Sequence, residues 1–233
     1  MNSNFLVKYL DARFTGELSE PPPEHKGMVI TVSRDTGCDG VPIVKEVIKQ
    51  LNNNLKGVSK KHPWRFVSKE IFEESAKKLN VKLDIFDNLE NSKDKSFVGE
   101  IISSFSTEQY PSDFKIKRTY KEIIESVASA GGVVILGRAG VAITDHNKRN
   151  LHIKLTAPLD WRVDKMAKEY GYNKAKTVKH ITESDKNRDD LKKYYMGRKV
   201  QFTDYDVALN VTSLTKKEIC AALVCMIEVR GKR

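Results

Sequence analysis

Two spacings of apolar residues alternate along most of the chain. "VITVS", starting at Val29, is a run of apolar and β-branched residues suited to a buried strand. Behind it, "VPIVKEVIKQL" puts its apolar residues at helical spacing with a proline in the first turn, which predicts a helix. "WRFVS" predicts a short strand, and "SKEIFEESAKKLN" a helix capped by Ser68 with Ile71, Phe72 and Leu79 on one face. Residues 81 to 111 carry no clear period. "SDFKIKRTYKEIIESVASAGG" then reads as a helix closed by glycine, "VVILG" as a central strand and "NLHIKLTAP" as a further strand. Two helices follow, "PLDWRVDKMAKEYG" and the densely charged "NKAKTVKHITESDKNRDDLKKYYMG". A last strand, "YDVALNV", and a last helix, "TKKEICAALVCMIEVR", complete the pattern. Strands alternating with helices predict an α/β fold with a mainly parallel sheet covered on both faces and ligand sites at the carboxyl ends of the strands.

The polar stretch "NNNLKGVSKKHP" reads as a connection between the first helix and the second strand. Residues 1–27 form a polar arm ending in "SEPPPEHKG", whose prolines forbid a helix, so the folded domain is expected over 28–233. At 233 residues, one α/β domain with a small mobile subdomain is the expectation. No apolar run approaches the roughly 20 residues of a membrane helix, and the start does not resemble a signal peptide, so a cytoplasmic protein without a membrane partner is expected. Cys38, Cys220 and Cys225 have no disulfide or metal-ligand spacing, which predicts reduced thiols and no resident metal site. The net charge of +10 points to an anionic partner, either nucleic acid or a phosphorylated small molecule.

The chemistry starts at "SRDTGCDGVP", between the first strand and its helix. Gly37 and Gly40 lie where a phosphate-binding turn needs them, so that backbone N–H groups and the helix N-terminus can face an anion. The full signature G-x-x-x-x-G-K-[ST] is absent. With Asp39 on the last glycine of that signature, Gly40 falls on the lysine and Val41 on the hydroxyl residue. Asp39 also adds a negative charge where phosphate would sit, while Arg34 can supply the missing cation. From the residues alone the stretch reads either as a phosphate loop or as an ordinary βα turn.

In "VVILGRAG", Arg138 follows a buried strand, either gripping the phosphate of a second substrate or simply exposed to water. Residues 146–200 hold fifteen Lys and Arg against seven Asp and Glu, most of the chain's positive excess. That suits a lid over phosphates, about 160–200, and equally a solvated helix face with i,i+4 ion pairs. The histidines have no partner at metal or triad spacing, and His62, His146 and His180 are expected at the surface. Trp161, Tyr194 and Tyr195 are expected to pack, as are Cys220 and Cys225 in the last helix.

Together these pieces resemble the cytidylate kinase-like family, a divergent branch of the P-loop nucleoside monophosphate kinases. "VITVSRDTGCDG" is similar to the family's opening I-T-I-S-R-E-x-G-S-G-G, "VVILGRAG" to its V-G-R, and "APLDWR" to its A-P-x-x-x-R. Asp185, Lys186 and Arg188 match its D-K-x-R, and "YDVALNVTSL" its Y-D-x-x-x-N-T-S-x-L. Cys38 and Asp39 depart from it, as do Val41 and Pro42. The resemblance implies a three-layer α/β/α sandwich of the P-loop NTP hydrolase kind, with a five-stranded mainly parallel sheet and a helical lid. It implies that Arg34 and the loop Gly37, Cys38, Asp39, Gly40 and Val41 bind the donor nucleotide, and that Arg138 binds the acceptor. Arg162, Lys186 and Arg188 would act on the transferring group. The activity implied is phosphoryl transfer from ATP, with Mg²⁺ carried by the nucleotide, to a small acceptor such as CMP or dCMP. Against it stand an inactive nucleotide-binding or regulatory module on the same fold and, from the charge alone, a nucleic-acid-binding protein, for which no motif is visible.

Overall fold

This computed structural model describes residues 27–54, 63–68, 113–129, 131–144 and 150–231. They form β1 (Val29–Arg34), α1 (Gly40–Asn54), β2 (Arg65–Val67), α2 (Asp113–Ser129), β3 (Val133–Leu136), α3 (Gly140–Ile143), β4 (Leu151–Thr156), α4 (Leu159–Tyr170), α5 (Lys174–Met196), β5 (Val207–Asn210) and α6 (Lys216–Arg230). The five strands pair in the order β2-β3-β1-β4-β5, and every pairing is parallel. Chain order therefore reverses around β1, which opens the crevice at the carboxyl ends of β1, β3 and β4.

Alternation along the strands divides the core into two layers. Ile30 and Val32 of β1, Val134 and Leu136 of β3, and Leu151, Ile153 and Leu155 of β4 face α1 and α6. From α1 they receive Ile43, Val44, Val47, Ile48 and Leu51, the helical spacing visible in the sequence. Each such side chain contributes roughly 1.5–3 kcal/mol when buried. The other face carries Val29, Val133 and Ile135 against α2, α3 and the end of α5. The expected three-layer α/β/α sandwich is thus the observed fold. The α4–α5 hairpin has a small core of its own in Val163, Met166 and Ile181.

Several expectations change in detail. α1 continues through Asn52–Asn54, which the sequence suggested as connection. Asn52 accepts a hydrogen bond from Trp64 N–H (2.7 Å) and donates to Trp64 C=O (3.1 Å), so its amide anchors the approach to β2 rather than ending its own helix. The four-residue α3 was not foreseen. Tyr195 packs as expected, stacked 6.0 Å from Tyr120, whereas Trp161 and Tyr194 remain exposed on the outer sides of α4 and α5. Cys220 is buried but Cys225 lies on the outer side of α6, and all three cysteines are free. His180 is exposed; His62, His146, residues 1–26 and the helix expected over "SKEIFEESAKKLN" lie outside the described residues, apart from Ser68 itself. No described helix is long and apolar enough to cross a membrane.

Candidate functional site

The turn between β1 and α1 sits in the crevice. Its Cys38 N–H donates to Asp35 C=O (3.1 Å), closing the turn, and Gly37 takes φ +94°, a conformation that favours glycine. A side chain at Gly37 would also press on Arg162 and Met166, whose atoms lie 3.2 Å from a Cβ built there. Cys38 contributes its side chain to the α1 core, where burial, reinforced by the Asp35 charge, pushes its thiol up to about 11. Val41 likewise packs on that core. Both side chains are spent on core packing, so both positions can serve a ligand through the backbone.

Thr36 is the centre of the turn's polar contacts. Its N–H and its hydroxyl both donate to one oxygen of the Asp185 carboxylate, at 2.8 and 2.6 Å. The other Asp185 oxygen accepts from Arg162 Nη1 at 2.7 Å. Arg162 is buried at 8% exposure and is fixed by further bonds to Thr36 C=O and Ala157 C=O, both 3.1 Å. Arg188, one turn along α5 from Asp185, donates to the Thr36 hydroxyl at 2.9 Å. A carboxylate thus occupies a backbone N–H at the mouth of the turn, with two guanidinium groups around it, which is the environment of an oxyanion.

Asp35 closes the β4 side. It accepts from Thr156 Oγ1 at 2.6 Å and forms an ion pair with Lys154. Burial opposes its charged form, but the hydrogen bonds from Lys154 and Thr156 and the charges of Lys154 and Arg162 outweigh that and hold its carboxyl below the usual range. Asp39 does not place its charge at the centre of the turn. It is 58% exposed and pairs with Lys165, whose ammonium also donates to Gly37 C=O at 3.0 Å.

The β3 side is built differently. Gly137, Arg138 and Ala139 take φ values of +74°, +57° and +52°, three consecutive left-handed residues closed by a 2.9 Å bond from Gly140 N–H to Gly137 C=O. Two of them are not glycine, a strained arrangement of the kind that collects at functional sites. Arg138 is buried at 4% exposure at the end of this turn. The Arg34 side chain runs from β1 over Gly40 to Gly137, and its Nη1 lies 2.8 Å from where a Cβ of residue 137 would be.

The structure therefore brings together Arg34, Gly37, Cys38, Asp39, Gly40, Val41, Arg162 and Arg188 around one turn, with Arg138 at the neighbouring strand end. Lys186 stands apart, on a groove of about 510 Å³ between α4 and α5 that it lines with Arg162, Asp185 and Lys193. Thr36, Lys154 and Lys165 are site residues that the sequence did not single out. "NLHIKLT" held a signal for one of them, because His152, Lys154 and Thr156 alternate with Leu151, Ile153 and Leu155 and so give one face of a central strand a polar character.

A solved structure of an uncharacterized protein from Eubacterium ventriosum superposes with a TM-score of 0.57 at 15% identity, covering 88% of this chain and 99% of that one. A shikimate kinase from Bacteroides thetaiotaomicron gives 0.49 at 12% identity, over 87% and 96%. A uronate isomerase of Corynebacterium glutamicum is 27% identical over 109 residues, 46% of this chain but only 21% of that protein's length. The model of the cytidylate kinase-like family matches residues 29–213, from the first residue of β1 to beyond β5. That match takes in the sheet, the turn with its carboxylate, and both arginine-bearing helices, and the chain belongs to the cytidylate kinase-like family.

Proposed function

We propose that this protein transfers the terminal phosphoryl group of ATP to a small acceptor, with a pyrimidine nucleoside monophosphate, CMP or dCMP, as the first candidate. The observation that carries the reading is the Asp185 carboxylate held by Thr36 N–H, Thr36 hydroxyl and Arg162 at the mouth of the β1–α1 turn. A phosphate presents the same charge and the same acceptor oxygens, so the donors that hold the carboxylate can hold a phosphoryl oxygen once α5 moves. In this reading residues 28–233 are the catalytic domain, residues 1–27 an extension, and the α4–α5 hairpin a lid. The backbone of Gly37 to Val41 and Arg34 bind the donor, Arg138 binds the acceptor, and Arg162, Arg188 and Lys186 act on the transferring group.

Such chemistry needs positioning and charge stabilisation rather than a covalent nucleophile. Mg²⁺ would neutralise the donor's phosphates. In this reading the ion arrives with the nucleotide. Arg162 is the best-placed cation, because its bonds to Thr36 C=O and Ala157 C=O fix the guanidinium before any ligand arrives.

A second reading, an inactive nucleotide-binding or regulatory module, is favoured by the same carboxylate if Asp185 never leaves. Calorimetric titration with Mg·ATP followed by CMP separates the two. Saturable Mg·ATP binding that strengthens CMP binding, with transfer to CMP or another monophosphate, supports the kinase. Mg·ATP binding without turnover on any acceptor supports the module, and no heat from folded protein removes the donor site. In an active enzyme Arg188→Ala should lower kcat by about 10²–10³-fold, as loss of a charge-stabilising donor does; unchanged kcat would take α5 out of the mechanism.

A further inference from the structure

Gly40 stands where the phosphate-loop signature places its lysine, and the space a side chain would enter there is already filled. A Cβ built on Gly40 lies 2.9 Å from Arg34 Cδ and 2.8 Å from Leu136 Cδ1. Both distances are shorter than van der Waals contact, so the stem of a lysine and the stem of Arg34 compete for one channel. Arg34 enters that channel from the end of β1 instead of from the first turn of α1, and its guanidinium comes out against Gly137. A Cβ at Gly137 would lie 2.8 Å from Arg34 Nη1, so glycine at Gly40 leaves room for the arginine's stem, and glycine at Gly137 lets its head rest where a side chain would push it aside.

We infer that Arg34 replaces the phosphate-loop lysine by occupying its channel, and that Gly40 is glycine because Arg34 is arginine. This rests on the reading that the turn seats the donor's phosphates. The exchange changes the chemistry as well as the route. An ammonium is a compact point charge, whereas a guanidinium is a planar fork that can grip two oxygens of a terminal phosphate at once. Coming out beside Gly137, the fork stands next to the left-handed turn that carries Arg138. One residue is thereby placed to contact the group being transferred while bordering the acceptor side.

The test combines unfolding and binding on the full chain. Wild type, Arg34→Ala, Gly40→Ala and the double variant are first compared by thermal unfolding without ligand. Gly40→Ala should lower the midpoint, and Arg34→Ala should remove a clear part of that loss, with the remainder due to Leu136. An equal loss in both backgrounds overturns the shared channel. Binding of Mg·ATP and of pyrophosphate is then measured for Arg34→Ala and for Arg34→Ala/Gly40→Lys. The single variant should bind about tenfold more weakly or worse, as expected for the loss of a charged donor, and the double variant should recover most of that. A double variant that binds no better than Arg34→Ala overturns the replacement. Coupled unfolding in a wild type that binds neither ligand upholds the shared channel and overturns the donor reading instead.

Discussion

On the β4 side of the β1–α1 turn, side-chain charges hold the structure together. Asp35 is bonded to Lys154 and Thr156, Asp185 to Thr36 and Arg162, and Asp39 to Lys165. On the β3 side, backbone conformation does the same work: three left-handed residues turn the chain at Gly137–Ala139, and two glycines leave a path for Arg34. The difference bears on how the crevice can change state. A carboxylate on a backbone N–H can be exchanged for another anion at little cost, because the new anion satisfies the same donors. A left-handed backbone has no such alternative. Its geometry is over-determined by the packing of Ala139, Ala142 and Ile143 against β3 and α2. The comparison therefore assigns adaptation to the β4 side and fixed geometry to the β3 side.

The largest effect should come from removing the anion on the adaptable side. Asp185→Ala leaves Arg162 and Thr36 N–H without their acceptor. Breaking a fully buried pair costs roughly 3–5 kcal/mol, and with Asp185 about a quarter exposed, a loss of about 2–3 kcal/mol is expected in urea unfolding. Pyrophosphate should restore more stability to this variant than to wild type, since the vacated donors can take its oxygens. Equal protection of both proteins would show that Asp185 and phosphate do not share a seat.

Asp35 sharpens the same side through pH. Its folded-state carboxyl titrates below the ordinary value of 3.8, so the unfolded chain takes up the proton first as pH falls. The stability it contributes is fully present above about pH 4, and is lost as pH falls through the folded value. Asp35→Asn should cost about 1–2 kcal/mol at neutral pH, from hydrogen bonds to a charged acceptor that are weakened or lost. That gap should narrow on acidification below pH 4. A gap that stays constant down to pH 3 would mean that charge is not what holds Asp35.

How much of this could be read in the sequence divides along the same line. The sheet and its helices were legible because burial on both faces imposes apolar runs such as "VVILG", and one-sided burial imposes the three-four spacing of α1. The arginines were legible as residue types at strand ends and in the charged helices. The carboxylate contacts were not, because Thr36 and Asp185 are 149 residues apart and Asp35 and Lys154 are 119 apart, and no local pattern encodes a pairing of that range. The acid at Asp39 suggested a charge at the phosphate seat; only the position of Lys165, two turns into α4 from its start at Leu159, turns that charge outward. The left-handed turn was also hidden. Glycine permits positive φ at Gly137, but nothing in "RA" announces that two further residues follow it there.

On the β3 side the effects should be smaller in stability and clearer in binding. Gly137→Ala forces a Cβ onto a left-handed residue, which costs roughly 1–2 kcal/mol. It also pushes on the Arg34 guanidinium, a flexible end that can move aside, so the added strain should be slight while Arg34 is displaced. Affinity for Mg·ATP should therefore fall more than the unfolding free energy explains. A variant that loses stability but keeps full affinity would separate Arg34 from the nucleotide.

The smallest effect, and the finest test of fixed geometry, is Ala139→Gly. Three terms meet at this residue. Glycine relieves a left-handed strain of roughly 1–2 kcal/mol. Against that, the buried methyl of Ala139 is lost, roughly 0.8 kcal/mol, and the unfolded chain gains freedom worth roughly 0.5–1 kcal/mol. The net should lie within about 0.5 kcal/mol of zero, which taken alone says little. Ala142→Gly supplies the reference, because Ala142 is equally buried in the same cluster, lies in the short helix that Ala139 precedes and lacks a positive φ. It loses a methyl and gains unfolded-state freedom with no strain to relieve, so it should cost about 1.5 kcal/mol or more. The difference between the two variants isolates the strain stored at residue 139. If Ala139→Gly proves as costly as Ala142→Gly, the turn holds no strain, and the β3 side owes its geometry to side-chain packing, as the β4 side owes its own to side-chain charge.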